Sequence, residues 1–290
     1  MRLVYLALAA CILLACNRDE KAAPDSRRIV TLGGSVTEIV FALGSGAEIA
    51  GTDLSSIYPA EVHKLPRVGY WRSVSAEGVL SLEPSLVLAD HEAGPPTSLQ
   101  QIKKAGVRVE QLPETMSLEG MRNRITAIAS LLGKQTEGEE LLRRMEQEYA
   151  DAQKLVATLP GKPRTLFVYM RGASIFSAGG AGTHADAMIK LCGGENVASS
   201  LEGMKPVSAE FFMQSRPDVL IVTKAGLESA GGIEQLRARP GLAETPAIRN
   251  SRIVVVDDLA FLGFGPRMPQ AVRQVAMVYS EMLSQSSASR

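Results

Sequence analysis

Histidine and cysteine each occur three times in this 290-residue chain, and tryptophan occurs once. Cys11 and Cys16 both lie in the first sixteen residues, which leaves Cys192 alone in the body of the chain, with no partner for an internal disulfide. Its apolar run before Gly193-Gly194 suits a buried structural thiol. His63, His91 and His184 are far apart, and no pair has the helical or strand spacing of metal ligands. That argues against a dedicated zinc or manganese site. There is no excess of charge: Lys+Arg and Asp+Glu both number 31, so no global field draws nucleic acid. G-x-S-x-G, H-E-x-x-H and a glycine loop with lysine are all missing. Asp257-Asp258 follows a strand, as catalytic carboxylates can, but no partner acid or base is identifiable, and an enzyme is the least favoured reading.

Long apolar runs are scarce too. The N-terminal one, Leu3 to Ala15, follows Arg2 and precedes Cys16. Thirteen residues are short for a bilayer span and suit a signal-peptide core. The stretch "LLAC" resembles a bacterial lipobox, which makes Cys16 the lipidated first residue of the mature chain; an ordinary cleaved secretory signal is the other reading. Both place the protein outside the cytoplasm. Residues 1–15 are read as signal and 16–26, polar with Ala and Pro, as a tether.

What is present is strand–helix alternation. "RRIVTLGG" is a strand and "SVTEIVFALG" a helix, with Ser35 as N-cap and Gly44 as stop. "EIAGTD", "SLVLAD" and "VRVEQLP" are further strands, with a helix in "TSLQQIKKAG". Residues 27–116 thus form an α/β lobe with a parallel sheet covered on both faces. Residues 117–160 are helical. Within them Gln135 to Leu159 is a run broken only by Gly138, roughly 37 Å long at 1.5 Å per residue. From 161 to 290 the alternation restarts with "RTLFVYM", "THADAMIKLCGG", "DVLIVT" and "RIVVVDD". A closing helix follows and the tail "SSASR" frays. The halves also echo one another. "SAEGVLSLEP" begins at Ser75 and "SAEFFMQSRP" at Ser208, each with proline seven residues after the glutamate. Two similar lobes are implied, although Glu77 and Glu210 can equally be N3-type helix caps.

On "GGSVTEIVFALGSG", "LPRVGYWRSVSAEGVLSLEPSLVL", "HADAMIKLCGGENVA", "RPDVLIVT" and "VVVDDLAFLGFGPRMPQ", the chain resembles the periplasmic haem-binding components of bacterial haem-uptake ABC transporters. These fall within the class III substrate-binding proteins, whose two Rossmann-like lobes are joined by one long helix and which include cobalamin and ferric-siderophore binders. The resemblance implies a monomeric iron-uptake protein that captures ferric haem b between its lobes. It would deliver the haem to a permease and, through it, to the ATPase. In the family the tyrosine matching Tyr70 is the axial iron ligand. Tyrosinate is a hard anion suited to Fe(III), and Arg72 would hold the phenolate or a propionate. Trp71 would pack at the slot or anchor the loop. Tyr58 and Tyr169 are weaker competitors. Some relatives carry a histidine after the first strand of the second lobe and hold a second haem. Here that position is Arg171, which implies one haem and makes Arg171 a propionate partner or a solvated edge residue. Met170 or Tyr169 would offer at most a weak sixth contact. Phe264 and Arg267 either line the slot or pack in a loop, and "SAGGAGTHADAM" offers backbone N–H groups to an anion. Glu77 and Glu210 match the family's permease-docking glutamates. A cobalamin or siderophore binder on the same fold is the alternative.

Overall fold

A computed structural model describes residues 27–172 and 174–288, with side chains through Ser284. The signal, the tether and Cys16 lie outside the described residues. The first lobe is built from β1 (Ile29–Leu32), α1 (Gly34–Ala42), β2 (Ile49–Thr52), α2 (Ala76–Leu80), β3 (Leu86–Ala89), α3 (Pro96–Lys104) and β4 (Arg108–Gln111). Its strands form a parallel sheet in the order β2-β1-β3-β4. Two helices follow, α4 (Leu118–Leu132) and α5 (Gln135–Ala157). The second lobe begins with β5 (Arg164–Arg171), β6 (Ile175–Gly179), α6 (His184–Leu191), β7 (Glu195–Asn196) and β8 (Met204–Pro206). It continues with α7 (Ala209–Ser215), β9 (Val219–Thr223), α8 (Lys224–Ser229), α9 (Ile233–Arg237) and α10 (Pro246–Arg249). β10 (Ile253–Val256), α11 (Asp258–Leu262) and α12 (Met268–Ala288) complete it.

Alternation along the strands divides the core. Ile29 of β1 and Phe167 of β5 join one cluster, while Val30 and Leu32 face a second and Leu166 and Val168 a third. The first cluster is shared by both lobes. It runs from Ile29, Val36 and Ile39 through Met121, Ile125, Leu141 and Met145 to Phe167, Val275 and Tyr279. Helix α5 is therefore both connector and core.

Three local expectations change. Helix α1 is capped by Gly33, whose φ of 121° suits glycine, and Ser35 lies inside the helix, buried. Gly138 does not break α5: a Cβ there would lie 2.6 Å from that of Ala129, so the missing side chain lets α4 and α5 close together. The final helix runs on to Ala288, into the stretch expected to fray. The second sheet is mixed. Its order is β10-β9-β5-β6-β8; β10, β9 and β5 are parallel, whereas β6 and β8 add antiparallel to the edge. The Gly-rich stretch therefore supplies β6, and Gly180 and Ala181 donate their N–H groups to Gly203 and Leu201 instead of to an anion.

Candidate functional site

The carboxyl ends of β1, β2 and β3 meet at one rim of the first sheet, the usual place for a ligand in open α/β layers. Beyond β2 the chain returns alongside itself: Thr52 donates to Pro66 O, Val68 to Thr52 O and Leu54 to Gly69 O. Gly69, at φ 96°, then turns the backbone outward, a conformation that costs glycine nothing. Tyr70 follows and caps the single 3₁₀ turn Trp71–Ser73. The turn is clamped from the loop after β3: Gly94 N donates to Trp71 O at 2.9 Å, and Val74 N to Gly94 O at 2.8 Å. Trp71 packs half-buried against the outer core cluster of the lobe and so anchors the loop.

Three side chains are arranged on that anchor. The Tyr70 ring lies 5.7 Å from that of Trp71, centroid to centroid, and Tyr70 remains 41 % exposed. The Arg72 guanidinium covers the Trp71 ring at 4.0 Å, a cation–π contact. It donates from Nη1 to the Tyr70 hydroxyl at 3.2 Å and from Nη2 to Glu92. Burial works against the Arg72 charge, but Tyr70 and Glu92 outweigh it and hold the guanidinium above its usual range.

Glu92 belongs to the loop after β3. Asp90, His91 and Glu92 bring three potential ligand atoms within 4.8 Å of one another. Two of these residues are already committed, Glu92 to Arg72 and Asp90 to Arg124, whose Nη1 donates to Asp90 Oδ2 at 2.6 Å. Arg124 is fully buried, also reaches Ser35 Oγ and Pro113 O, and ties α4 to the floor of the rim.

From the second lobe His184 faces this loop, at the start of α6 and half-buried. Burial lowers its pKa, Asp90 and Glu92 pull it back up, and Arg124 and His91 add to the lowering. No histidine stands at Arg171, but the fold brings an imidazole to the facing side from thirteen residues further on. Arg171 ends β5 exposed and has no side-chain partner among the described residues; it shares a sheet face with Tyr169, which is 39 % exposed, and with Ile175.

Phe264, a candidate slot residue on sequence, has no exposed surface. Its φ of 48° turns it inward, where it is fully buried and packs against the His184 ring at 5.4 Å. Arg267 is engaged by Glu38 and covers the Tyr58 ring at 3.7 Å, which removes both Arg267 and Tyr58 from the Tyr70 group. The sequence reading missed Glu38 and Arg124. A lone acid in the apolar run "SVTEIVFALG" was a signal for the first; nothing local marked the second. A cavity of about 650 Å³ lies away from Tyr70, between Glu38, Phe41, Tyr58, Leu141, Met145 and Arg267.

Glu77 and Glu210 occupy equivalent places. Each is the second residue of a short helix, behind Ser75 or Ser208, whose hydroxyls accept from Gly78 N and Phe211 N. Neither is the N3 residue of a capping box, and both are exposed. The Ser208 hydroxyl supports the Glu210 carboxylate and lowers its pKa.

This two-lobed arrangement is that of a binding protein serving transport rather than catalysis. The chain belongs to the periplasmic binding protein family, which matches residues 29–260. It is similar to the periplasmic haem-binding protein RhuT of Roseiflexus sp. RS-1 in apo form: 42 % identical, TM-score 0.85, covering 89 % of this chain and 100 % of that one. It is also similar to the periplasmic haem-binding protein BhuT, solved with two haems: 39 % identical, TM-score 0.83, covering 89 % and 99 %. Among curated relatives, YvrC of Bacillus subtilis, an ABC transporter substrate-binding lipoprotein, is 28 % identical over 266 residues, 90 % of this chain and 82 % of that one. The vitamin B12-binding protein of Photorhabdus laumondii is 24 % identical over 249 residues, 86 % of each. Among the described residues no helix is long and apolar enough to cross a membrane.

Proposed function

We propose that this protein captures one ferric haem between its lobes, with Tyr70 on the iron, and hands it to an ABC permease. The observation that carries the reading is the Arg72 guanidinium on the hydroxyl of an exposed tyrosine, 3.2 Å away. A free phenol titrates near 10 and is almost fully protonated at neutral pH. Coordination to Fe(III) would supply the drive for the phenolate, and the guanidinium is placed to donate to its oxygen. Trp71 holds the loop rather than the ligand. Arg171, with no side-chain partner among the described residues, suits a propionate, and the exposed Leu54, Tyr169 and Ile175 suit an apolar disc. The likeness to RhuT and BhuT supports haem; the vitamin B12-binding relatives support cobalamin as the second reading, and that ligand would not need a protein phenolate. Glu77 and Glu210, one per lobe at matching positions, would meet basic residues of the permease and set orientation more than affinity. Cys16 would anchor the mature chain through lipid.

The test is Tyr70→Phe. Purified with haem, the protein should show the Soret and charge-transfer bands of ferric tyrosinate. The variant should lose the latter and bind haem at least about tenfold more weakly. An unaltered spectrum would remove Tyr70 from the iron, and a tight cobalamin titration without haem uptake would favour the second reading.

A further inference from the structure

We propose that Glu38 and Arg267 form a pivot that fixes the angle between the lobes and thereby the rate at which a bound ligand leaves. They are 229 residues apart in sequence and come from different lobes, Glu38 on α1 and Arg267 just before α12. The Glu38 side chain is 4 % exposed. Its Oε1 accepts from Arg267 Nε at 3.1 Å and from the Arg267 backbone N at 3.2 Å, and its Oε2 accepts from Nη2 at 3.2 Å. The remaining arm, Nη1, is held by Asp257 of the second lobe at 3.2 Å, and the guanidinium plane lies over Tyr58 of the first. The fork is thus fixed in direction as well as distance. A bidentate guanidinium–carboxylate pair resists twist and slide in a way that a point charge does not.

Its position gives it leverage. Glu38 and Arg267 border the same cavity as Leu141 and Met145 of the inter-lobe helix, so the pair lies beside the element about which the lobes must bend. Gly265 is part of the same fit: a Cβ there would lie 3.3 Å from Glu38 Oε2. A buried fork between the lobes beside the bending axis opposes their opening, twist and slide. Neither residue reaches Tyr70, Arg72 or Glu92, so an effect on ligand release would pass through the lobe angle. Burial raises the Glu38 pKa while Arg267 pulls it down, as expected of a carboxylate retained inside for its partner.

The experiment uses Glu38→Gln and Arg267→Lys, with Asp257→Asn as the control that removes a charge but keeps the Oδ1 acceptor for both Arg267 Nη1 and Ala260 N. Small-angle scattering of the ligand-free protein reads the lobe angle. Transfer of haem to excess apomyoglobin reads release. Both pivot variants should enlarge or broaden the scattering envelope and speed release roughly fivefold or more, with the absorbance spectrum of the bound haem unchanged. Asp257→Asn should match the unsubstituted protein. If Glu38→Gln fails to fold, Arg267→Lys, which keeps the charge and loses the fork, decides alone. An unchanged scattering curve and an unchanged release rate in a folded variant overturn the pivot. The scattering arm needs no ligand, so a widened envelope in a protein that takes up no haem would uphold the pivot and remove the haem reading.

Discussion

Arg72 divides its guanidinium between Tyr70, reached from Nη1 at 3.2 Å, and Glu92, reached from Nη2. Glu92 therefore competes with any anion that needs the same cation. Glu92→Gln should tighten binding of a dicarboxylate porphyrin by a few-fold, in line with the roughly 0.2–1 kcal/mol of a half-exposed ion pair. Arg72→Ala should weaken it. Soret titrations of the two variants check this. Weaker binding by Glu92→Gln would mean that the carboxylate positions Arg72 and does not compete for it.

Arg124 is a stability residue beneath the rim. It is fully buried and its charge is met by Asp90 at 2.6 Å. Arg124→Ala leaves Asp90 without its cation and empties a large site, so the loss should be about 3–5 kcal/mol. Urea denaturation should show a lower midpoint at an unchanged slope. A loss under about 1 kcal/mol would mean that water readily replaces the guanidinium.

His184 should make stability depend on pH. It packs on Phe264 and faces Asp90, His91, Glu92 and Arg124, and burial holds its pKa below 6.5. The unfolded chain therefore takes up this proton first as the pH falls. The contribution is fully present above 6.5 and is lost as the pH drops through the folded value. His184→Gln removes it. The stability difference between the unsubstituted protein and this variant should be constant above that pH and should decline below it, as measured by denaturation across a pH series. A difference that stays flat throughout would show that the ring is as free to titrate in the fold as out of it.

Glu77 and Glu210 should matter for delivery and not for capture. Glu77→Ala and Glu210→Ala should each leave the haem spectrum and affinity intact and reduce stimulation of the transporter ATPase in reconstituted vesicles, and the double variant should abolish it. Equal stimulation by the double variant would locate docking elsewhere.

The sequence showed plainly whatever depends on near neighbours. Buried strands such as Val219–Thr223, the caps Ser75 and Ser208, and the span of α5 follow from apolar periodicity and local hydrogen bonding. The Tyr70–Arg72 pairing is equally local, two residues apart. What stayed hidden needs the chain brought together from afar. Glu38 looked like a stray acid until Arg267 arrived from the other lobe, and Arg124 is inside only because Asp90 and Pro113 converge on it. Phe264 illustrates a third limit. An aromatic between glycines reads as a loop residue, and only its backbone angle decides that it turns inward. The antiparallel edge was missed because glycines in "FSAGG" read as turn chemistry when they also allow close strand pairing.

The hydrophobic interior that passes unbroken from Ile29 to Tyr279 has a consequence for the molecule's melting. The two lobes carry different sheets, and neither is self-sufficient: severed at the connector, each would present to water the leucines and methionines that the other now covers. The two lobes should therefore denature as one cooperative block, seen as a single calorimetric peak.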